Sequence, residues 1–359
     1  MVKLLSTFQR FEIMCLWRTR EEYPFVLNIE DIEDMKKVFR FVTLSYDKNN
    51  YYVIIQSLPW GRYSKRRDES GHRLPAFLDY VSCEEHFILA INRLMYRVRE
   101  QLKTIYDFYV SPVPRDFNVL KEVIKHRLSA WLKKYREGKK MTDAEIDKVK
   151  KFLSICNELG IKNDVDEFLK IFEKDPYHPL YRTFIAKWFG NDKKTAKFIN
   201  NLFFDIDFVD KPIDVKYAEK FCKMFIEDFQ AMLDKVCNLP IEKINQCFKK
   251  FVQRTTLKYK EIPSVVYEVL KNMKFLCVYT GGGVHIMMNL GKAIDVSSYD
   301  YIHVRDFVTL VIDSLNIKLS REGFKCLIDP NIDPRLSSVR IPNMINTKYS
   351  MKTSLLNIC

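Results

Sequence analysis

From Lys274 to Leu290 the chain reads KFLCVYTGGGVHIMMNL, two apolar strand-like runs joined by three consecutive glycines. Such a run predicts a pair of strands closed by a tight turn, because glycine alone enters left-handed backbone conformations without a steric penalty. The same glycines let backbone N–H groups come close to a ligand, as in phosphate-cradling turns. His285 leaves the turn on the second strand, where it can donate to a phosphate oxygen or sit in the core bonded to a carbonyl.

A second strand, LFFDIDFV, precedes it by some seventy residues. Side chains alternate along a strand, so Asp205 and Asp207 project from one side with Cβ atoms about 7 Å apart. Two carboxylates so placed can share divalent cations, and in an apolar strand their repulsion calls for a positive group nearby. Beyond them lies LIDPNIDPRLSSVRIPNMINTKYSMKTSLLNI. There Asp329 closes an apolar strand, Arg340 stands at a strand end before Pro342, and Lys348 follows in a polar turn. Arg and Lys beside carboxylates and metals suit a triphosphate, whose charge metals alone leave exposed.

The rest of the chain alternates in character. YPFVLNI, FRFVTLSY and YYVIIQSL read as strands around a helical DIEDMKKVF, an α/β beginning. Residues 59–75 form a basic, aromatic-studded loop in which Trp60 and Tyr63 stand among Arg62, Lys65, Arg66 and Arg67. Helices follow as far as 195, one capped at Ser82 with Glu85 and one at Thr142 with Glu145, the latter stopping at Gly160. Between them 117–140 is an amphipathic helix with Leu120, Val123, Ile124, Leu128, Trp131 and Leu132 on one face. Its other face carries Lys125, Lys133 and Lys134, readable as a solvated surface or as a nucleic-acid contact. Residues 215–272 read as two or three helices, with another near 304–316. The expected division is 1–115, an α/β portion; 116–195, a basic helical segment; and 196–359, the portion with the acidic and glycine motifs.

Lys and Arg outnumber Asp and Glu by 59 to 46, a net charge of +13 that favours polyanionic partners. No apolar stretch approaches the roughly 18 residues a membrane span needs, and no secretory leader is evident, so a soluble cytoplasmic protein without membrane partners is expected. Nine cysteines, with no Cys-x-x-Cys pair, read as reduced thiols, and no zinc site is expected from Cys222, Cys237 and Cys247.

Apolar-Asp-Ile-Asp, a glycine turn ending in Gly-x-His, a late Asp, then Arg-Ile-Pro-Asn and a Lys: this order resembles the archaeo-eukaryotic primase superfamily, over residues 200–358. Upstream, RTREEYPFVLNI and YDFYVSPVPRDF are faintly similar to segments of small primase subunits. The resemblance implies an α+β primase-polymerase module with an RNA-recognition-like central sheet. It makes Asp205, Asp207 and Asp329 (with Asp333 as the alternative) ligands of two Mg²⁺ or Mn²⁺ ions. It also assigns nucleotide binding to the turn Thr280, Gly281, Gly282 and Gly283 and to His285, Arg340, Asn346 and Lys348. The turn lacks the Arg usual before Gly-x-His, which points to the branch found in archaeal plasmids and viruses, and the zinc stem of cellular subunits is absent.

The implied activity is template-dependent nucleotidyl transfer, the synthesis of primers from NTPs or dNTPs on single-stranded DNA, with a large primase subunit or a helicase as candidate partner. Charge and aromatic placement, not the resemblance, nominate Trp60, Arg62, Tyr63, Lys65, Arg66, Arg67, Lys125, Lys133 and Lys134 for the template. A non-catalytic primase-like subunit and a metal-dependent nuclease are the alternatives. The set His285, Arg340 and Lys348 argues against a nuclease, since hydrolysis needs no triphosphate grip.

Overall fold

The computed structural model describes residues 29–46, 50–58, 76–102, 106–162, 164–210, 212–251, 260–323, 325–328, 333–335, 337–346, 348–349 and 351–356. The expectations for Trp60, Arg62, Tyr63, Lys65, Arg66, Arg67 and Asp329 lie outside these residues, as do the first six residues of YPFVLNI.

Two antiparallel sheets organise the chain. Strands β1 (Tyr51–Leu58), β2 (Phe77–Val81), β3 (Asp107–Val110) and β4 (Arg115–Asp116) build the first, with helices α1 (Ile29–Thr43) and α2 (Glu84–Leu102) beside them. Four helices follow: α3 (Phe117–Arg136), α4 (Asp143–Glu158), α5 (Val165–Lys174) and α6 (Pro179–Ile185). The second sheet begins with β5 (Phe198–Phe208), after which come α7 (Val215–Cys237), α8 (Ile241–Phe251) and α9 (Ser264–Asn272). Strands β6 (Lys274–Tyr279) and β7 (Gly283–Asp295), helix α10 (Tyr299–Arg321) and β8 (Cys326–Ile328) complete its main body. The chain then returns to the first sheet as β9 (Val339–Arg340), makes a small hairpin of β10 (Ile345–Asn346) and β11 (Met351–Lys352), and ends on β12 (Ser354–Leu355).

The second sheet runs β12-β6-β7-β5-β8, and the first runs β2-β1-β3-β9 with β4 on β1. Within the second, β5, α7, β6, β7, α10 and β8 follow one another as β-α-β-β-α-β, with α8 and α9 inserted before β6. Every pairing is antiparallel, and β5 and β7 are the two inner strands of the β6-β7-β5-β8 unit, the split arrangement of two interlocked β-α-β units. Leu202, Phe204, Ile206 and Phe208 face α7 to α10 and share one core with Phe225, Phe229, Phe307 and Val311. Phe203, Leu276, Val278 and Met287, on the opposite face, share a second core with Val53, Ile55 and Phe108 of the first sheet and with α1 and α2. Strand β1 turns its alternate residues, Tyr52 and Ile54, into a third core with α3 to α6. The period-2 alternation of these strands thus buries both of their faces.

Three local expectations are corrected. FRFVTLSY is not a strand: α1 runs through Thr43, because Met35, Val38, Phe39 and Val42 recur at helical spacing and are all buried, which outweighs the β-propensity of Phe, Val and Thr. Ile29, the last residue of YPFVLNI, opens that same helix. The helix expected from Ser82 begins at Glu84, and Glu85 bonds the Cys83 side chain instead. The Thr142–Glu145 capping box is present as expected, and α4 ends before Gly160, whose φ is +67°. The last carbonyls of α1 are met from across the core: Asn200 and Asn201 donate to Val42, and Asn200 and Asn289 donate to Leu44. Buried asparagines therefore fasten the first helix to the second sheet by satisfying its C-terminal groups.

Candidate active site

Asp205 and Asp207 continue the face of β5 that buries Phe203, but beyond Phe203 that face opens and both carboxylates are exposed. Opposite them on β7 stand His285, paired with Asp205, and Gly283, paired with Asp207. A one-residue change of register would turn both carboxylates into the helical core, so the long β5–β7 ladder fixes them on the open side. The strand alternation anticipated in the sequence holds here.

His285 is buried, and its Nδ1 accepts the backbone N–H of Arg340 at 3.1 Å. Burial first, and the Arg340 guanidinium second, push its pKa down to about 3. The imidazole is therefore neutral with its proton on Nε2, since Nδ1 is occupied as an acceptor. Nε2 lies 3.5 Å from Oδ1 of Asp205. That contact is a neutral N–H facing a carboxylate, not an ion pair, and it leaves the donor aimed at the space beside Asp205. Of the two settings the sequence left open, the buried one is present, with a backbone N–H rather than a carbonyl as the partner of Nδ1.

Arg340 ends β9, which pairs with β3 so that Arg340 lies opposite Tyr109. Its Nη1 is 2.8 Å from Oδ1 of Asp107, and its guanidinium lies 4.9 Å from the centroid of the Tyr109 ring. Asp107 is wholly buried, as is most of Arg340. Burial raises the Tyr109 hydroxyl pKa and the Arg340 guanidinium lowers it, with the upward shift prevailing. Asp107 and Tyr109 are the site residues that sequence reading missed. The only signal was an Asp opening the strand-like DFYV within YDFYVSPVPRDF, and nothing in it announced that a strand more than two hundred residues later would bring Arg340 alongside.

The glycine turn packs more than it points. Gly281 has φ +87°, a Cβ on Gly282 would lie 2.4 Å from the Tyr349 ring, and a Cβ on Gly283 would lie 2.0 Å from the Ile206 carbonyl oxygen. Carbonyls of Gly281 and Gly282 accept from Ile213 and Phe208, and Thr280 donates to Gly283. Asn346 is buried; its Nδ2 donates to the Thr280 carbonyl and its Oδ1 accepts Lys348 N–H at 2.9 Å. Asn346 is thereby a staple between the turn and the Lys348 segment. Lys348 is exposed, its Nζ 5.0 Å from the centroid of the Tyr349 ring. The structure brings Thr280, Gly281, Gly282, Gly283, Asn346 and Lys348 together at the Asp207 end of the sheet.

Oxygen donors on one open sheet face suit hard divalent cations such as Mg²⁺ or Mn²⁺. Asp205 and Asp207 fit such a pair, with half of the Asp205 side chain, 48%, accessible. Among the described residues no group of three or more His, Cys, Asp or Glu converges into a metal cage. Asp333 is bound by Arg335, Nε to Oδ1 at 2.8 Å. On α3, Lys125 pairs with Asp166 at 2.7 Å and Lys134 with Glu145 at 3.4 Å, both acids being on neighbouring helices. Lys133 is exposed. No described contact joins these lysines to Asp205. The described cysteines are free thiols, and no described helix is long and apolar enough to cross a membrane.

No family model matches the chain, and neither a curated protein nor a solved structure shows significant similarity to it.

Proposed function

We propose that this chain is a template-dependent nucleotidyltransferase of the primase-polymerase type, making primers on single-stranded DNA from NTPs or dNTPs. The observation that carries this reading is the convergence of Asp205, His285 and Arg340 from three strands of two sheets: an exposed carboxylate, a neutral N–H donor facing it, and an arginine whose backbone N–H holds that donor in place. The β-α-β-β-α-β order of the second sheet, with Asp205 and Asp207 on its open face, is what an RNA-recognition-like catalytic sheet would require.

Asp205 and Asp207 would hold Mg²⁺ or Mn²⁺, with Asp329 as the expected third ligand; when bound, the ions would activate the attacking 3′-hydroxyl and neutralise the departing pyrophosphate. The remaining chemistry belongs to the chain. His285 donates its Nε2 proton to a phosphate oxygen and, being neutral, adds no charge to the triphosphate side. Arg340, held at its edge by Asp107, and the exposed Lys348 contribute positive charge there. Catalysis in this scheme is positioning and electrostatics, without a side-chain nucleophile.

A second reading, a non-catalytic primase-like subunit, draws on the internal roles of the glycine turn and of Asn346, which are complete without a nucleotide. Incubation with single-stranded template, labelled NTPs or dNTPs and Mg²⁺ or Mn²⁺ separates the two. Template-dependent products are expected; template binding without any product would favour the subunit.

A further inference from the structure

The open face of the second sheet differs on the two sides of Asp207. On the β7 side stand the groups assigned to phosphate: His285 on β7 itself, Arg340 through its bond to His285, and Lys348 in the segment that Asn346 staples to the glycine turn. On the other side β8 pairs with β5, and the residue opposite Asp207 is Leu327.

Ile206, Phe208 and Ile328 point into the helical core, so alternation puts Leu327 and Val209 on the face that carries Asp205 and Asp207. The Val209 N–H donates to the Lys325 carbonyl at 2.8 Å, which extends the ladder past Phe208. Leu327 is 64% exposed and Val209 72%. Lys325, just before β8, is paired with Asp210 at 3.2 Å. One exposed aliphatic residue by itself needs no explanation. Here two of them, diagonal neighbours across the strands, form a ledge against a carboxylate. They can supply neither charge nor a hydrogen bond there, only apolar area.

In the reaction proposed above, a 3′-hydroxyl gives up its proton to water and bonds to the α-phosphorus as the bond to pyrophosphate breaks, the entering and leaving oxygens in line. With the triphosphate held on the β7 side, the 3′-hydroxyl arrives from the β8 side. We infer that Leu327 and Val209 seat the sugar and base of the primer's 3′-terminal nucleotide, a subsite separate from the one that takes the incoming triphosphate. This inference rests on the nucleotidyltransferase reading, but its test needs no turnover.

The experiment is disulfide trapping. Leu327→Cys, Val209→Cys and Ile317→Cys are each mixed with a primer–template whose primer carries a thiol-tethered base either at its 3′ end or well upstream. Ile317, 51% exposed on the helix α10 that packs behind the sheet, is the control, and wild type reports the native thiols. Both ledge variants should trap the 3′-terminal tether at least about ten-fold faster than the upstream one, because a seated nucleotide raises the local thiol concentration. Ile317→Cys and wild type should show no such preference.

A second measurement removes the apolar area without a cross-link. Leu327→Ser combined with Val209→Ser should weaken primer–template binding about ten-fold. Affinity for unprimed template and the thermal midpoint should stay at wild type, whereas a merely structural pair would move the midpoint and both affinities together. Equal trapping of the two tethers, no trapping by either ledge variant, or disulfide-linked dimers of the ledge variants in preference to DNA adducts would each overturn the inference. End-specific trapping in a protein that extends no primer would support it while contradicting the proposed activity. Primer extension without end-specific trapping would do the reverse.

Discussion

His285 illustrates how one side chain can be both structural and chemical. The Arg340 N–H fixes its tautomer, the buried setting fixes its charge state, and together they leave a neutral donor beside a carboxylate. A stability prediction follows from the pKa. The free imidazole titrates near 6.5 and the buried one near 3, so between these values the unfolded chain takes up a proton that the folded chain refuses. Stability therefore falls as the pH is lowered through that window, by an amount on the order of a few kcal/mol at its acid end. In urea titrations between pH 4 and 7, His285→Gln should show a shallower decline than wild type; parallel curves would contradict the depressed pKa. At this scale the sequence was informative where a strand's alternation decided the matter, as for Asp205 and Asp207. It was silent where a partner came from a distant strand, as Arg340 did for Asp107.

Among the elements, the β5–β7 ladder carries the site and the glycine turn closes it. Gly283 sits where β7 starts against β5, with room for no Cβ beside the Ile206 carbonyl. Gly283→Ala should cost at least about 2 kcal/mol, because backbone rather than a flexible side-chain end must move. A denaturation midpoint equal to wild type would show that the two strands can separate locally at no cost. The sequence suggested that these glycines cradle phosphate; packing explains each of them without a ligand. Helix α3 had been a candidate template contact, and its apolar face is buried as its periodicity indicated. Two of its three nominated lysines are paired with acids of α4 and α5. Replacing Lys125, Lys133 and Lys134 by Gln should change the salt slope of single-stranded DNA binding by less than one phosphate contact, about 0.7. A drop near 2 would put this helix on the template path. The misread FRFVTLSY shows the limit of propensity: its residues favour strands, yet their burial partners on α1 recur with helical period.

As a whole molecule, the chain makes its candidate site from both ends. β9, near the C-terminal end, adds to a sheet begun by residues 51–110, and its last residue contacts His285 on the other sheet. The core shared by Phe203, Met287, Val53 and Phe108 holds the sheets together behind that contact. Helices α3 to α6 lie between Phe117 and Ile185, and no division by chain position would reveal that strands from before and after them meet at one site. The direct test is primer synthesis by Asp205→Asn and Asp207→Asn on a single-stranded template with Mg²⁺ or Mn²⁺, with template affinity measured alongside. The account predicts that each exposed substitution abolishes synthesis and leaves folding and template binding near wild type, since a metal ligand and not a phosphate contact is lost. Near-normal synthesis by either variant would contradict it.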